Sequence, residues 1–472
     1  MTSEWTLEAL GQIVTGKTPP KAVQNAYSDS GMPFLTPKDM DGRKWVLTTE
    51  RCLSEEGTNS VRKSIVPAGS IAVSCIGSDM GKAVRIPVDS VTNQQINTLI
   101  PNAEKCDPDY LYYLLSTMQQ DLKDIAGGSA TPILNKGHFG KVQVQLPDIR
   151  HQNQAAKILA ALDDKIQLNH QINQTVEQIA QAIFKSWFVD FEPVKAKIAT
   201  LEAGGSEEDA LLAAMQAISG KSEAELTRLQ AERPEQYAEL RATAELFPSA
   251  MQDSELGEIP EGWTIAPFLS IARLDTTSVK PAQDPEKAWE HYSIPAFDEG
   301  ATPAFETGAD IKSNKYKVYP TAVLSSKLNP HFPRTWIPDV QNPDAAICST
   351  EFMQFVPLEP QHRAFIAGMI TSEPFQSGIM IRVTGSTGSR QRAQPKQVAA
   401  MDVILPKSEL RAVYSQHTEA MYRMQSKNIW QAQSLASLRD TLLPKLLSGE
   451  LSVSDAEYQM TEEELIPQEE IN

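Results

Sequence analysis

The chain is poor in cysteine, has no long apolar run and carries no overall excess of basic charge. Its four cysteines, Cys52, Cys75, Cys106 and Cys348, stand far apart in 472 residues, so neither a disulfide framework nor a paired-cysteine zinc site is implied. No stretch approaches the roughly 18 apolar residues of a membrane span, and the opening MTSEWTLEAL lacks the basic-then-apolar plan of a signal peptide. A cytoplasmic protein with no membrane partner is expected. The seven histidines show no HExxH spacing and no GxSxG nucleophile elbow occurs, so no metal site and no catalytic residue are predicted.

What is there is ordinary globular composition, 41% apolar and 22% charged, in a chain long enough for two or three domains. The net charge of −17 looks wrong for a partner of nucleic acid until it is located. Residues 196–262 carry 5 basic and 14 acidic side chains, and 450–472 carry 8 acidic and none basic. The remainder is balanced, so local basic patches on it can still meet phosphate.

The chain repeats itself. WTLEALGQIV from Trp5 matches WTIAPFLSIA from Trp263, and the PAGSIAVS stretch ending at Ser74 matches Pro320 through Ser325. Asn93-Gln94-Gln95 before Pro101 matches Ser349-Thr350-Glu351 before Pro357, and VQVQLPD ending at Asp148 matches MDVILPK ending at Lys407. Four anchors in one order, with small changes in offset, indicate two homologous cores with variable surface loops. Within each repeat, short apolar runs such as 70–76 and 322–326 alternate with turn residues and helix patterns. The expected fold class is α/β, with tandem domains at 1–150 and 263–407.

Each repeat closes on a long helix. From about Gln152 to Phe188 no Pro or Gly occurs, and Ile158, Leu162, Ile166, Ile172, Val176, Ile179, Ile183 and Trp187 recur mostly three and four apart. From about Ser408 to Leu443 the face is Met421, Met424, Ala432, Leu435, Leu438 and Leu442. Helices at 151–195 and 408–449, whose uninterrupted runs of about 152–188 and 408–443 span roughly 50–55 Å at 1.5 Å per residue, are expected to zip as an antiparallel pair that joins and separates the two domains with pseudo-two-fold symmetry. Residues 196–262 read as a solvated, helical acidic insertion and 450–472 as a disordered acidic tail.

Gly11 through Thr18 satisfies GxxxxGK followed by Thr, the phosphate-binding loop pattern, which would make the chain a nucleotide hydrolase using Gly16-Lys17-Thr18. Pro19 and Pro20 argue against it, because that loop must run directly into a helix whose first N–H groups cradle phosphate. Asn329-Pro330-His331-Phe332 resembles the Asn-Pro-Pro-aromatic loop of adenine methyltransferases but lacks the second Pro, and no glycine-rich cofactor loop precedes it. A coiled-coil protein-interaction module is a third reading.

Loop chemistry suited to DNA remains. Arg382 through Arg392, with Lys396 beyond, combines basic, hydroxyl and glycine residues and no acid. Thr384, Ser386, Thr387, Ser389, Arg390, Gln391 and Arg392 are its candidate contacts, since Gly and Ser let backbone approach phosphate and Arg or Gln can pair with base edges. The first repeat answers with Ser129, Thr131, Asn135 and Lys136. Matched candidates elsewhere are Lys82 opposite Arg334, Ser74 opposite Ser325, and Asn93, Gln94 and Gln95 opposite Ser349, Thr350 and Glu351. Lys327 joins the second set.

LRDTLLPKLLSGEL (438–451), KSWFVDFEPV (185–194), the HQNQAAKILAALDDKI helix start and the TGSTGSRQR and CSTEF elements resemble the specificity subunit of type I restriction-modification systems, over nearly the whole chain outside the insertion and tail. The resemblance implies two target recognition domains that each read one half of a bipartite double-stranded DNA site. It implies spacer helices that dock two methyltransferase subunits. No cofactor is expected on this chain: S-adenosylmethionine would come with the methyltransferase, ATP and magnesium with motor-nuclease subunits.

Overall fold

The computed structural model describes residues 2–77, 79–127, 133–385 and 391–451. It divides into two compact units, Met1–Gln167 with Ser434–Asn472, and Leu168–Gln433.

In the first unit, strand Ser3–Thr6 pairs antiparallel with Gln143–Leu146. The QVQL strand alternates exposed and buried residues, as a half-buried strand should. A four-stranded antiparallel sheet follows the order Gly11–Thr15, Ile96–Pro101, Ile71–Ser74, Ala83–Arg85. The centre of that sheet is wholly buried, which the run Ile71-Ala72-Val73 permits because both faces are covered. A second sheet runs Tyr27–Ser28, Cys52–Leu53, Met32–Leu35, Ser90–Thr92, Ile65–Val66, and Met32–Leu35 with Ser90–Thr92 is its parallel pair. Helix Pro108–Thr117 starts where Asp107 accepts from the amides of Asp109 and Tyr110, with Pro108 at the first turn. It buries Tyr110, Leu111, Tyr113 and Leu115.

The second unit repeats this topology apart from one edge strand: Tyr27–Ser28 lies beside Cys52–Leu53, whereas Ser278–Val279 lies beside Lys315–Lys317 at the other edge of its sheet. Thr264–Pro267 pairs with Asp402–Leu405. The four-stranded sheet is Ala272–Asp275, Phe352–Pro357, Val323–Ser326, Thr335–Trp336, and the five-stranded one is Ser278–Val279, Lys315–Lys317, Ala346–Cys348, Ala288–Tyr292, Ala304–Thr307. It too has a parallel pair, Ala288–Tyr292 with Ala346–Cys348.

Ladder register corrects two of the sequence anchors. Trp5 lies opposite Val144, while Val403, the counterpart of Val144 in the Leu-Pro step, lies opposite Ala266. The equivalent of Trp5 is therefore Ala266 and not Trp263, and the buried Leu7 and Leu10 correspond to the buried Phe268 and Ile271. Likewise Ser74 faces Ile96 and Ser326 faces Phe352. Ser74 thus matches Ser326 rather than Ser325. A one-residue slip of this kind reverses which face a side chain occupies. The anchors at Pro101 and Pro357 hold, since they face Gly11 and Ala272, the equivalent starts of the next strand.

The long helices are Ile149–Phe188 and Ser408–Ser448. The second continues through Pro444, close to its end. Segments of the two run antiparallel inside each unit. In the first unit, Asp163 pairs with Arg439, and Ile158 and Leu162 share a core with Leu438, Leu442 and Leu446. In the second, Asn169 bonds Gln431, and Asn173 bonds both Gln425 and Asn428. The apolar stripe is therefore interrupted. Trp187 is buried, Ile166, Ile172, Val176, Ile183 and Leu435 are half-buried, and Ile179 and Met424, expected on the buried face, are 44% and 49% exposed. Amides replace side-chain packing there because NHQINQT (169–175) places Asn169 and Asn173 where an apolar residue would sit, and an amide withdrawn from water must find a partner.

Within 196–262 the chain forms helices Glu207–Ser219, Glu223–Glu232 and Pro234–Glu245. Ser206 and Ser222 each close a reciprocal cap with Asp209 and Glu225. The insertion is more than a solvated linker. It has a small core of Leu211, Ala214, Met215, Leu226 and Ala244, and its Phe247 and Ile259 enter the main core of the second unit beside Trp187. Burial holds the Lys197 ammonium below its usual range, and its Nζ donates to the Phe247 carbonyl at 2.6 Å.

Candidate nucleic-acid interface

In each unit the candidates converge where the inner strand of the four-stranded sheet ends and the neighbouring strand begins. In the first unit, the Ser74 amide donates to the Lys82 carbonyl at 3.0 Å, and the Cys75 amide donates to the Gln95 carbonyl at 2.7 Å. In the second, the Ser326 amide donates to the Arg334 carbonyl at 2.9 Å and the Lys327 amide to the Glu351 carbonyl at 2.9 Å. Lys82 is thus the true counterpart of Arg334, and Lys327 that of Cys75. The bend before the neighbouring strand is built alike: Asn93 Oδ1 accepts from the Gln95 amide at 3.0 Å, and Ser349 Oγ accepts from the Glu351 amide at 3.2 Å. The Asn93 and Ser349 amides each donate at 2.9 Å to the parallel strand, at Leu35 and Tyr292. Asx- and Ser-type side chains suit this bend because they mimic the missing backbone turn.

Several candidates are spent on structure. Ser74 is buried and its hydroxyl donates to the Asp79 carbonyl, as that of Ser326 does to Leu328. Ser325 is buried within the ladder. Asn135 caps helix Lys136–Gly140 through the His138 amide, leaving Lys136 exposed at its start. Lys82 pairs with Asp79 at 2.9 Å, and Arg334 holds Asp298 with two contacts of 2.6 and 2.9 Å. Thr384 accepts from Gln394 at 2.6 Å.

The basic loop of the second unit leaves strand Val383–Thr384 and returns on Arg392–Ala393. Arg392 grips Glu351 through three contacts of 3.0–3.3 Å, which raises its guanidinium above the ordinary range. Two candidates 41 residues apart in sequence thereby become one ion pair. The Gln391 carbonyl accepts from Asn329, whose left-handed backbone (φ 48°) makes Asn329-Pro330-His331-Phe332 a turn. Phe332 at that turn is 61% exposed. Ser129, Thr131, Ser386, Thr387, Ser389 and Arg390 lie outside the described residues.

The phosphate-loop pattern is excluded by what its amides do. Gly11–Thr15 is a strand, and the Gly16 and Lys17 amides donate to Ile96 and Thr92 carbonyls at 3.0 and 2.8 Å. No helix follows at Thr18. Gly16 is required for another reason: a Cβ there would sit 2.0 Å from the Asn93 carbonyl oxygen. The same segment contributes what the sequence reading missed, a bond from Thr18 Oγ1 to Gln94 Oε1 of 2.5 Å.

Among the described residues, no group of three or more His, Cys, Asp or Glu side chains could hold a metal ion, and no helix is long and apolar enough to cross a membrane. The arrangement offers amides, hydroxyls and cations on loops carried by a buried sheet. Such a set can recognise and hold a polar, hydrogen-bonding polymer edge.

Comparison with known proteins agrees with this geometry. Residues 2–178 match the type I restriction modification DNA specificity domain family. The chain is 29% identical over 419 residues to the HindI specificity subunit of Haemophilus influenzae, an alignment covering 82% of this chain and 88% of that protein. It is 31% identical over 193 residues to the MjaIX specificity subunit of Methanocaldococcus jannaschii, covering 40% and 44%. The crystal structure of the type I restriction-modification S subunit from M. genitalium shares the fold, with a TM-score of 0.54 at 12% identity over 95% of this chain and 96% of that one. With its doubled fold, its paired long helices and these relatives, the chain is similar over most of its length to the specificity subunits of type I restriction-modification systems, and its residues 2–178 match the DNA specificity domain of that family.

Proposed function

We propose that this chain supplies the DNA address for a type I restriction-modification complex, each repeat reading one half of a bipartite double-stranded site. The observation that carries the reading is the doubled strand-end loop, built with the same hydrogen bonds in both units yet furnished with different side chains. Asn93-Gln94-Gln95 stands where the other repeat has Ser349-Thr350-Glu351. A shared scaffold with exchanged tips is what two similar readers of different sequences require.

Amides and guanidinium groups on such tips suit base edges in the major groove, while Lys17, Lys136 and the glycine-rich stretches suit phosphate. The long helices would dock two methyltransferase subunits, offering Leu168, Ile179 and Met424, apolar side chains that the fold leaves exposed. Those subunits would bring S-adenosylmethionine. Motor-nuclease subunits would bring ATP and magnesium, and the complex would work in the cytoplasm. This chain contributes no catalytic residue to that scheme.

The test is methylation mapping by single-molecule sequencing in cells carrying the modification subunit with and without this chain. A two-part motif methylated only when the chain is present is expected. Identical methylation in both cells would refute the reading.

A further inference from the structure

Gln94 and Gln95 stand side by side at the strand-end bend of the first unit, Gln94 exposed and Gln95 half-exposed. The carbonyl end of each is engaged from within the same unit. Thr18 Oγ1 donates to Gln94 Oε1 at 2.5 Å, and Asn93 Nδ2 donates to Gln95 Oε1 at 3.0 Å. Asn93 is itself buried and fixed by the Gln95 amide, and Thr18 is held close because Gly16 lets its strand run against the Thr92 and Asn93 carbonyls. Among the described residues neither glutamine Nε2 has an acceptor. The bend therefore presents two amide NH2 groups outward, with their carbonyls turned in.

That orientation selects among bases. A glutamine pairs with adenine by accepting from N6 while donating to N7, for which a carbonyl held by an internal donor is turned away and keeps only its second lone pair; guanine offers two acceptors, O6 and N7. We propose that the first recognition unit reads guanine through the NH2 groups of Gln94 and Gln95, with Thr18 and Asn93 as positioning residues that commit both side chains to donation. The inference rests on the DNA-recognition reading above. In the second unit the equivalent of Gln95 is Glu351, a carboxylate that accepts from Arg392, so no amide donor stands at that position there.

The experiment uses the methyltransferase complex assembled with the full chain, once its methylated motif is mapped and the half read by residues 1–150 identified by exchanging that domain. Duplexes carry 7-deazaguanine in place of each guanine of that half, one at a time. Binding should weaken about tenfold or more at one or more guanines, and this penalty should disappear in complexes carrying Gln94→Leu or Gln95→Leu. Thr18→Val should lower discrimination of guanine over adenine at that position, and Thr18→Ser should restore it. A half-site without guanine, or a 7-deazaguanine penalty unchanged in both glutamine variants, would overturn the proposal even if the variants proved unstable, because the first outcome is read on the unaltered complex. Absence of any specific duplex binding would instead overturn the DNA-recognition reading beneath it.

Discussion

In the first unit, Asp163 on the first long helix accepts from the Tyr113 hydroxyl at 2.5 Å and from Arg439 of the second long helix at 2.7 Å. In the second unit the corresponding ground between helix and recognition fold is aromatic: Phe184, Phe188, Phe365 and Tyr414 meet with ring centroids 5.0–6.2 Å apart. Two copies of one fold thus seat their helices by different chemistry. Burial and then the Asp163 charge push the Tyr113 phenol far above its ordinary range. Burial works against the Arg439 charge, yet Asp163 raises that guanidinium above its usual value. The polar junction holds only as a complete set, because each partner removed strands a buried donor or charge. The aromatic junction depends on filled volume and edge-to-face packing instead.

The comparison can be broken most forcefully at Phe188. Phe188→Ala should cost about 3–5 kcal/mol, as expected for a buried aromatic whose cavity cannot collapse, measured by denaturant unfolding; a loss below about 1 kcal/mol would show that this junction does not rest on packing. Asp163→Ala should cost roughly 2–4 kcal/mol, less than a fully buried pair because Arg439 keeps some solvent access. Asp163→Asn should recover part of that, since its amide can still meet the Tyr113 hydroxyl. Equal losses for Asn and Ala would mean that charge, and not hydrogen bonding, carries the junction. Ser74→Ala and Ser326→Ala should each cost on the order of 1 kcal/mol, and clearly unequal losses would contradict the corrected register.

The smallest effect concerns thiols. Burial pushes Cys75 up to about 11 and raises Cys348 further, so iodoacetamide at neutral pH should modify the half-exposed Cys52 and spare both. A thiol whose folded value exceeds its unfolded value of about 8.5 keeps its proton in the fold after the unfolded chain has lost it. Stability should therefore fall as pH rises from roughly 9 toward 11. Rapid labelling of Cys75 in the native protein would show that its strand end is open.

Much of this design was legible in the sequence. The Leu-Pro steps, Pro101 with Pro357 and the proline-free helical runs fixed the repeat, because they are local and survive divergence. The first anchor was not legible, because the identical Trp5 and Trp263 attract an alignment that the ladder rejects in favour of Leu7 with Phe268. Only hydrogen-bond register separates Ser325 from Ser326, since both are serines in one strand. The pairs Thr18 with Gln94, Arg392 with Glu351 and Asp163 with Arg439 join residues 76, 41 and 276 apart in sequence, and no local periodicity reports a contact over that distance. The amides Asn169 and Asn173 were passed over because a search for apolar spacing discounts polar residues on a buried face.

The claim that most needs testing is that one unit reads one half-site. Residues 1–150 should be exchanged for the corresponding domain of another specificity subunit, and the methylated motif mapped by single-molecule sequencing. The account predicts a new sequence in one half of the motif and the original sequence in the other. Alteration of both halves would contradict it.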